Sequence, residues 1–354
     1  MNKKVNFILP VCIFASVVYI FLAIRPLQKE LHFKTVWTID SSKPNSSLKE
    51  ISPQELIPFK IGQVLGYFSS EGKIYSIKTY PYKASISKND YCIYGSSDKK
   101  MEIFSSTDEK KGSINAQGFP FFQGEKKYLM LPGGNSFAFL DDRGKLIWQF
   151  ENYVPITAFA TSKSATAAGY ADGSIITFND DGKIESSFSP GGSEYPAVLG
   201  IAVSDDAKLT AAITGQEKQR FVLAKKEGNL TKILFHEFLE SQTKRQVLIK
   251  FSKDSNYCYY SHKDCLGVLN LKTQKSKHIK IDGHILSIQE TQDKKSIFVL
   301  SKKDDFYSIS LIQNNDLYAG STKFKAQNAF ITVKENSLFI VKDSSISRID
   351  IEYR

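Results

Sequence analysis

Five histidines, His32, His236, His262, His278 and His284, are the side chains best suited to move protons or hold a metal near neutral pH. None forms an H-x-x-x-H pair, and none stands beside a cysteine or carboxylate at ligand spacing, so no metal is expected. His262 and Asp264 share the short polar segment 261–264, which reads as a solvated turn. Carboxylates are paired at Asp141-Asp142, Asp180-Asp181, Asp205-Asp206 and Asp304-Asp305. Two such groups can divide acid and base work, but these fall in turn segments, where aspartate bonds its own backbone. Pro132-Gly133-Gly134-Asn135 and Pro190-Gly191-Gly192-Ser193 lack the lysine and following helix of a phosphate cradle. G-x-S-x-G, P-loop, H-E-x-x-H and Asp-x-Asp calcium patterns do not occur. The expectation is a protein without catalytic residues, cofactor or metal, and not an enzyme.

One recurrent pattern is left to carry function. Aromatic residues precede proline at Tyr80-Pro81, Phe119-Pro120, Tyr153-Val154-Pro155 and Tyr195-Pro196, with Phe121 and Phe122 following. Grouped at one rim, Tyr80, Phe119, Phe121, Phe122, Tyr153 and Tyr195 would form a partner-binding surface of rigid amphipathic rings. The competing expectation is that they pack inside the fold while the prolines set loop direction. Lys218, Arg220, Lys302 and Lys303 would share that face.

The elements that must position these residues are short strands. Beyond residue 60 no helical period emerges; alternating strands recur between Gly-, Asp-, Asn- and Ser-rich turns. Polar turns near residues 87, 124, 162, 204, 252, 291 and 335 lie roughly 37, 38, 42, 48, 39 and 44 residues apart, each before an apolar strand. A second hairpin, Phe137 to Trp148 around Asp142-Arg143-Gly144, aligns with Ile175 to Glu185 around Asp180-Asp181-Gly182, and more loosely with Phe221 to Leu230. Units of this size cannot cover their own apolar faces, so they must stack in a ring. The expected fold is all-β: a propeller of about seven four-stranded blades over residues 61–354. Its last blade would borrow a strand from the N-terminal side, Lys73 to Tyr80.

Across residues 61–354 the chain resembles the WD40-like and quinoprotein-like β-propeller repeat families. Gly-His and Trp-Asp pairs of true WD40 repeats are absent; Asp142-Arg143-Gly144-Lys145-Leu146-Ile147-Trp148 is similar to a quinoprotein-type repeat, though its tryptophan does not recur in the other copies. The resemblance implies the fold and a habit of scaffolding and assembly. A small-ligand-binding propeller, or a hydrolytic or redox one, that uses its central channel is the alternative.

Residues 5–24, VNFILPVCIFASVVYIFLAI, are uncharged and long enough for a transmembrane signal anchor after a short tail, 1–4. Residues 25–60, rich in Ser, Pro and charge from Ser41 to Pro58, read as a stalk, with an isolated strand at Phe33 to Ile39. The expected location is the cytoplasmic membrane, with the propeller on the extracytoplasmic side. The net charge of +10 comes from 47 Lys+Arg against 37 Asp+Glu without a basic block, which speaks against a nucleic-acid partner. Protein partners are expected. Of four cysteines, Cys12 lies in the apolar segment; Cys92, Cys258 and Cys265 form no disulfide framework, although Cys258 and Cys265 flank one turn.

Overall fold

A computed structural model describes residues 8–23, 31–42, 52–228 and 230–353. Helix α1 (Ile8–Ala23) is followed by strand β1 (Leu31–Asp40), and among the described residues the strands form eight antiparallel sheets. Blade 1 spans residues 57–79, blade 2 83–114, blade 3 119–151, blade 4 156–188, blade 5 198–238, blade 6 249–280 and blade 7 284–325. Blade 8 combines 329–353 with β1. Blade 1 has three strands and the others four. The expectation of seven is therefore corrected to eight. Blade 1 lacks the long polar turn used to count the others; its first hairpin turns on Gly62-Gln63 alone, between Ile61 and Val64.

The first strand of each blade is innermost, and neighbouring first strands approach one another around a central channel. Apolar clusters fill the spaces between blades. Between blades 3 and 4 the filling is aromatic: Tyr128, Phe137, Tyr170 and Phe178 are buried, with Phe150 and Phe159 packed against them. Between blades 4 and 5 it is small and aliphatic, around Ala165, Ala167, Ile175 and Val198. One charge cluster is also buried between blades. Lys127 Nζ lies 2.7 Å from Asp90 and 2.7 Å from Asp142, and Lys111 Nζ lies 2.8 Å from Asp90. Lys127 and Asp90 are 3% and 2% exposed, so each is the other's most buried counter-charge, with Asp142 and Lys111 lying further toward solvent.

The ring closes through β1, which pairs antiparallel with Ser345–Tyr353 from Leu31↔Tyr353 to Asp40↔Ser345, with a bulge between Thr35 and Trp37. The strand expected to lie isolated in the stalk is thus the outer strand of blade 8. Lys73 to Tyr80 instead contributes the third strand of blade 1, Ile74–Thr79. Trp37 secures the closure: its ring covers Gly72, whose Cβ would come within 3.3 Å of the indole, and Nε1 donates to Ser70 O at 3.2 Å. Trp148 repeats the device between blades 3 and 4. It lies on Gly182, at φ +79°, and donates to Asp180 O at 2.9 Å. The two tryptophans that look unrelated in sequence do the same work at two blade junctions.

Blade 1 runs against its neighbours. Lys334, which ends the inner strand of blade 8, donates to Glu55 O at 2.8 Å, just before the inner strand of blade 1 begins. The turn at Gly62 lies instead beside Asn328, where the inner strand of blade 8 starts. In every other blade the blade-to-blade connectors and the loops between second and third strands share one face, the connector face. The remaining hairpin turns share the opposite, turn face. Three strands carry the chain from the turn face to the connector face, so only a reversed blade can deliver it to Lys83.

Residues 11–20 of α1 are all exposed, with Phe14 and Tyr19 each 72% exposed. At 16 residues the helix falls short of the about 20 a bilayer requires, and among the described residues no helix is long and apolar enough to cross a membrane. The rest of the expected anchor, residues 5–7 and 24, lies outside the described residues.

Two outcomes test this architecture in urea denaturation. Trp37→Ala, which removes the indole and its hydrogen bond from the closing strand, is expected to cost about 3 kcal/mol or more. Lys127→Ala, which leaves the buried Asp90 with the partly exposed Lys111 alone, is expected to cost about 3 kcal/mol, and Asp90→Leu combined with Lys127→Met should recover most of that loss.

Candidate protein-interaction face

The aromatic–proline segments lie in connectors or at the start of inner strands, and therefore on the connector face. Tyr153 is fully exposed, Tyr195 is 55% exposed and Phe119 41%. The other three candidates are elsewhere. Tyr80 is buried, its hydroxyl donating to Gly62 O at 2.6 Å and its N–H to Gln63 O at 3.0 Å. Phe122 is buried in the packing of blades 2 and 3, its N–H bound to Ser85 Oγ at 2.9 Å. Phe121 stands edge-on to Phe159, with ring centroids 5.6 Å apart, and lines the channel. Tyr82, which the aromatic–proline spacing skips, joins the exposed set at 40%. Lys83 lies over both Tyr82 and Phe119, at 5.4 and 4.9 Å from their ring centres. A partner here would thus meet four aromatic side chains on four consecutive connectors.

The connectors are held by backbone bonds to the neighbouring loops of the same face. Ile156 N–H donates to Gly134 O at 2.8 Å, and Gln216 N–H to Tyr195 O at 3.0 Å. Gly173, at φ +85°, passes under Pro196, and a Cβ there would sit 2.6 Å from the proline ring. Arg220 Nη2 donates to Pro190 O at 2.5 Å, which ties down the longer connector that presents Tyr195. Arg220 is therefore a support for the connector rather than a free surface cation. Lys302 lies over the Tyr307 ring at 4.8 Å, and Lys303 is paired with Asp282 at 2.8 Å.

A second polar cluster was not legible in sequence. His262 ends the strand Tyr257–His262 and is 8% exposed, which corrects the expectation of a solvated turn residue. Its Nε2 lies 2.8 Å from His278 Nδ1, and His278 Nε2 lies 3.4 Å from Glu237 Oε2. The Tyr260 hydroxyl donates to Glu237 Oε1 and Ser276 Oγ to Oε2, the latter at 2.7 Å. The cluster spans residues 16 and 41 apart in sequence and forms only because blades 5 and 6 pack together. Among the described residues no three His, Cys, Asp or Glu side chains are arranged to hold a metal ion. Cys258 and Cys265 do not face each other: Cys258 pairs with Leu269 and Cys265 with His262.

Fold and face together define a closed eight-bladed β-propeller whose connector face displays aromatic side chains. A family profile described as beta-propeller protein matches residues 1–353, and the chain belongs to that family. An uncharacterized protein of Treponema pallidum (strain Nichols) is 27% identical over 343 residues, which is 95% of this chain and 91% of that protein. Among solved structures, the crystal structure of BamB from Moraxella catarrhalis is similar, with a TM-score of 0.61 at 14% identity, covering 90% of this chain and 100% of that one. At that identity the likeness is one of fold.

Burial, then the neighbouring His278, pushes the His262 imidazole down to about 4. The unfolded chain takes that proton near pH 6.5, so the folded state binds fewer protons between the two values. Stability is expected to be full above about pH 6.5 and to fall by about 2–3 kcal/mol as pH drops toward 4. His262→Phe should flatten that slope in denaturation midpoints taken across the window.

Proposed function

We propose that this protein is a non-enzymatic scaffold or assembly factor of the cell envelope, tethered through α1 and engaging protein partners through its connector face. The observation that carries the reading is the exposure of Phe119, Tyr153 and Tyr195 on three consecutive connectors, where they fill no core. Aromatic side chains left in water on a rigid support are the anchors that protein interfaces use. The fold likeness to BamB supports this coarse reading.

The tether follows from α1. An apolar helix exposed along residues 11–20 is covered by no other face among the described residues, and a bilayer would cover it. β1 begins at Leu31, opposite Tyr353, on the turn face. A membrane attached through α1 thus meets the turn face or the outer rim of blade 8, and the aromatic connectors point away from it. In this reading the helix sits in the cytoplasmic membrane and the propeller outside the cytoplasm.

Replacing Phe119, Tyr153 and Tyr195 together by alanine tests the face. These positions are exposed, so the thermal midpoint should stay within about 0.5 kcal/mol of the parent in stability terms. Recovery of envelope proteins crosslinked in cells to the full chain should drop by about tenfold or more. Unchanged recovery with the triple variant would remove the connector face from the proposal.

A further inference from the structure

The channel is open and chemically uneven. A cavity of about 850 Å³ is lined by the inner strands of blades 3 to 7. A second, of about 450 Å³, adjoins it toward the turn face, and both are bordered by Gln123, Ala160, Leu248, Ile249 and Leu286. A third, of about 360 Å³, continues past Phe121 to Phe59 and Lys60 of blade 1. The upper walls are apolar, and two large aliphatic side chains stand in the open space: Leu286 is 40% exposed and Leu248 38%. Such a volume is that of a ligand site rather than a packing gap.

The eight inner strands carry Lys60, Lys83, Lys250 and Lys334 but one carboxylate, Glu290. Glu290 is 3% exposed, and its Oε2 accepts the Lys253 N–H at 2.7 Å, so it faces the blade 6–7 junction rather than the channel. Asp205 borders the lower cavity, but its carboxylate lies 3.4 Å from Lys163. Lys250 borders the same cavity and Lys60 the third. Each uses its ammonium to reach the next inner strand's backbone: Lys250 Nζ donates to Ile288 O at 3.0 Å and Lys60 Nζ to Ala84 O at 2.8 Å. Neither is ion-paired among the described residues. Each therefore keeps N–H donors beside a channel cavity; the Glu290 carboxylate is near enough to favour the Lys250 charge, and the cavity Lys250 borders carries Thr161, Ser252, Ser287 and Gln289 beside its aliphatic side chains. Burial holds both ammonium groups below the ordinary lysine range, which is the cost an incoming anion would relieve.

We infer that the channel is a binding site for a single-chain carboxylate amphiphile of the long-chain fatty acid class. The carboxylate sits on Lys250 in the lower cavity, and the acyl chain runs toward the connector face among Leu248, Leu286 and Leu199. Charge selects the head and the aliphatic wall selects the tail; no bond is made or broken. The site is separate from the exposed aromatic residues, so it does not depend on how the connector face is used.

A diazirine-bearing palmitic acid probe, photolysed on the full chain in phosphatidylcholine nanodiscs and mapped by peptide mass spectrometry, tests the site. The expected result is adducts in residues 246–251 and 284–289 that unlabelled palmitate suppresses. Lys250→Met should reduce them about tenfold, the loss of one charged contact. Leu286→Trp, placed where the side chain already projects into open space, should reduce them comparably by filling the channel. The matching diazirine alcohol should leave the channel unlabelled. Circular dichroism checks that both variants are folded, and if Lys250→Met is not, the Leu286→Trp and alcohol arms decide. Adducts confined to α1, or channel adducts unchanged in Leu286→Trp and equally formed by the alcohol, would overturn the assignment.

Discussion

A blade of three or four short strands leaves both of its apolar faces open, so no blade in this chain is stable except between two others. That constraint makes the last junction decisive. The nine residue pairs between β1 and Ser345–Tyr353 turn an open stack into a ring. They recruit a strand from the N-terminal side of the chain to cover what would otherwise be an exposed edge. Trp37 then locks this blade onto blade 1 with the ring-on-glycine contact that Trp148 makes between blades 3 and 4. Closure thereby couples the chain ends, and every inter-blade cluster inherits its stability from a contact more than three hundred residues apart in sequence.

The reversed blade follows from the same closure. β1 ends at Asp40 beside Ser345, on the connector face, while blade 1 starts near Glu55 on the turn face. Blade 1 therefore starts on the opposite face, and its three strands bring the chain back. An odd strand number is thus compensated by direction rather than by a long internal loop. The aromatic rows and the buried Lys127–Asp90 pair show that individual junctions are filled by different chemistry, which gives each blade one correct neighbour.

Two surfaces of different character result. The connector face carries exposed rings on loops pinned by backbone hydrogen bonds and by Arg220. The channel carries aliphatic walls and lysines whose only described acceptors are backbone carbonyls. The first suits a macromolecular partner and the second an amphiphile, because one is shallow and rigid and the other a deep channel that sets lysines beside aliphatic walls.

Periodicity alone determined that the chain is a propeller, since polar turns recur at blade length and each unit is too small to bury its own faces. It also placed Phe119, Tyr153 and Tyr195 in connectors, because proline marks where a strand begins. The count stopped at seven because Gly62-Gln63 is too short to resemble the other turns. The closing strand was hidden because Leu31–Asp40 has no neighbour in sequence to pair with. Tyr80 and Phe122 lie beside the exposed aromatics in sequence, yet Tyr80 bonds the Gly62 turn of blade 1 and Phe122 alternates along its strand into the blade 2–3 junction. His262, His278 and Glu237 meet only across a blade junction, and Lys60 and Lys250 share the channel only because a ring brings blades 1 and 6 around one axis. Local spacing decides which segments are strands and turns; which side chains face water, core or channel is decided by closure, which no local segment encodes.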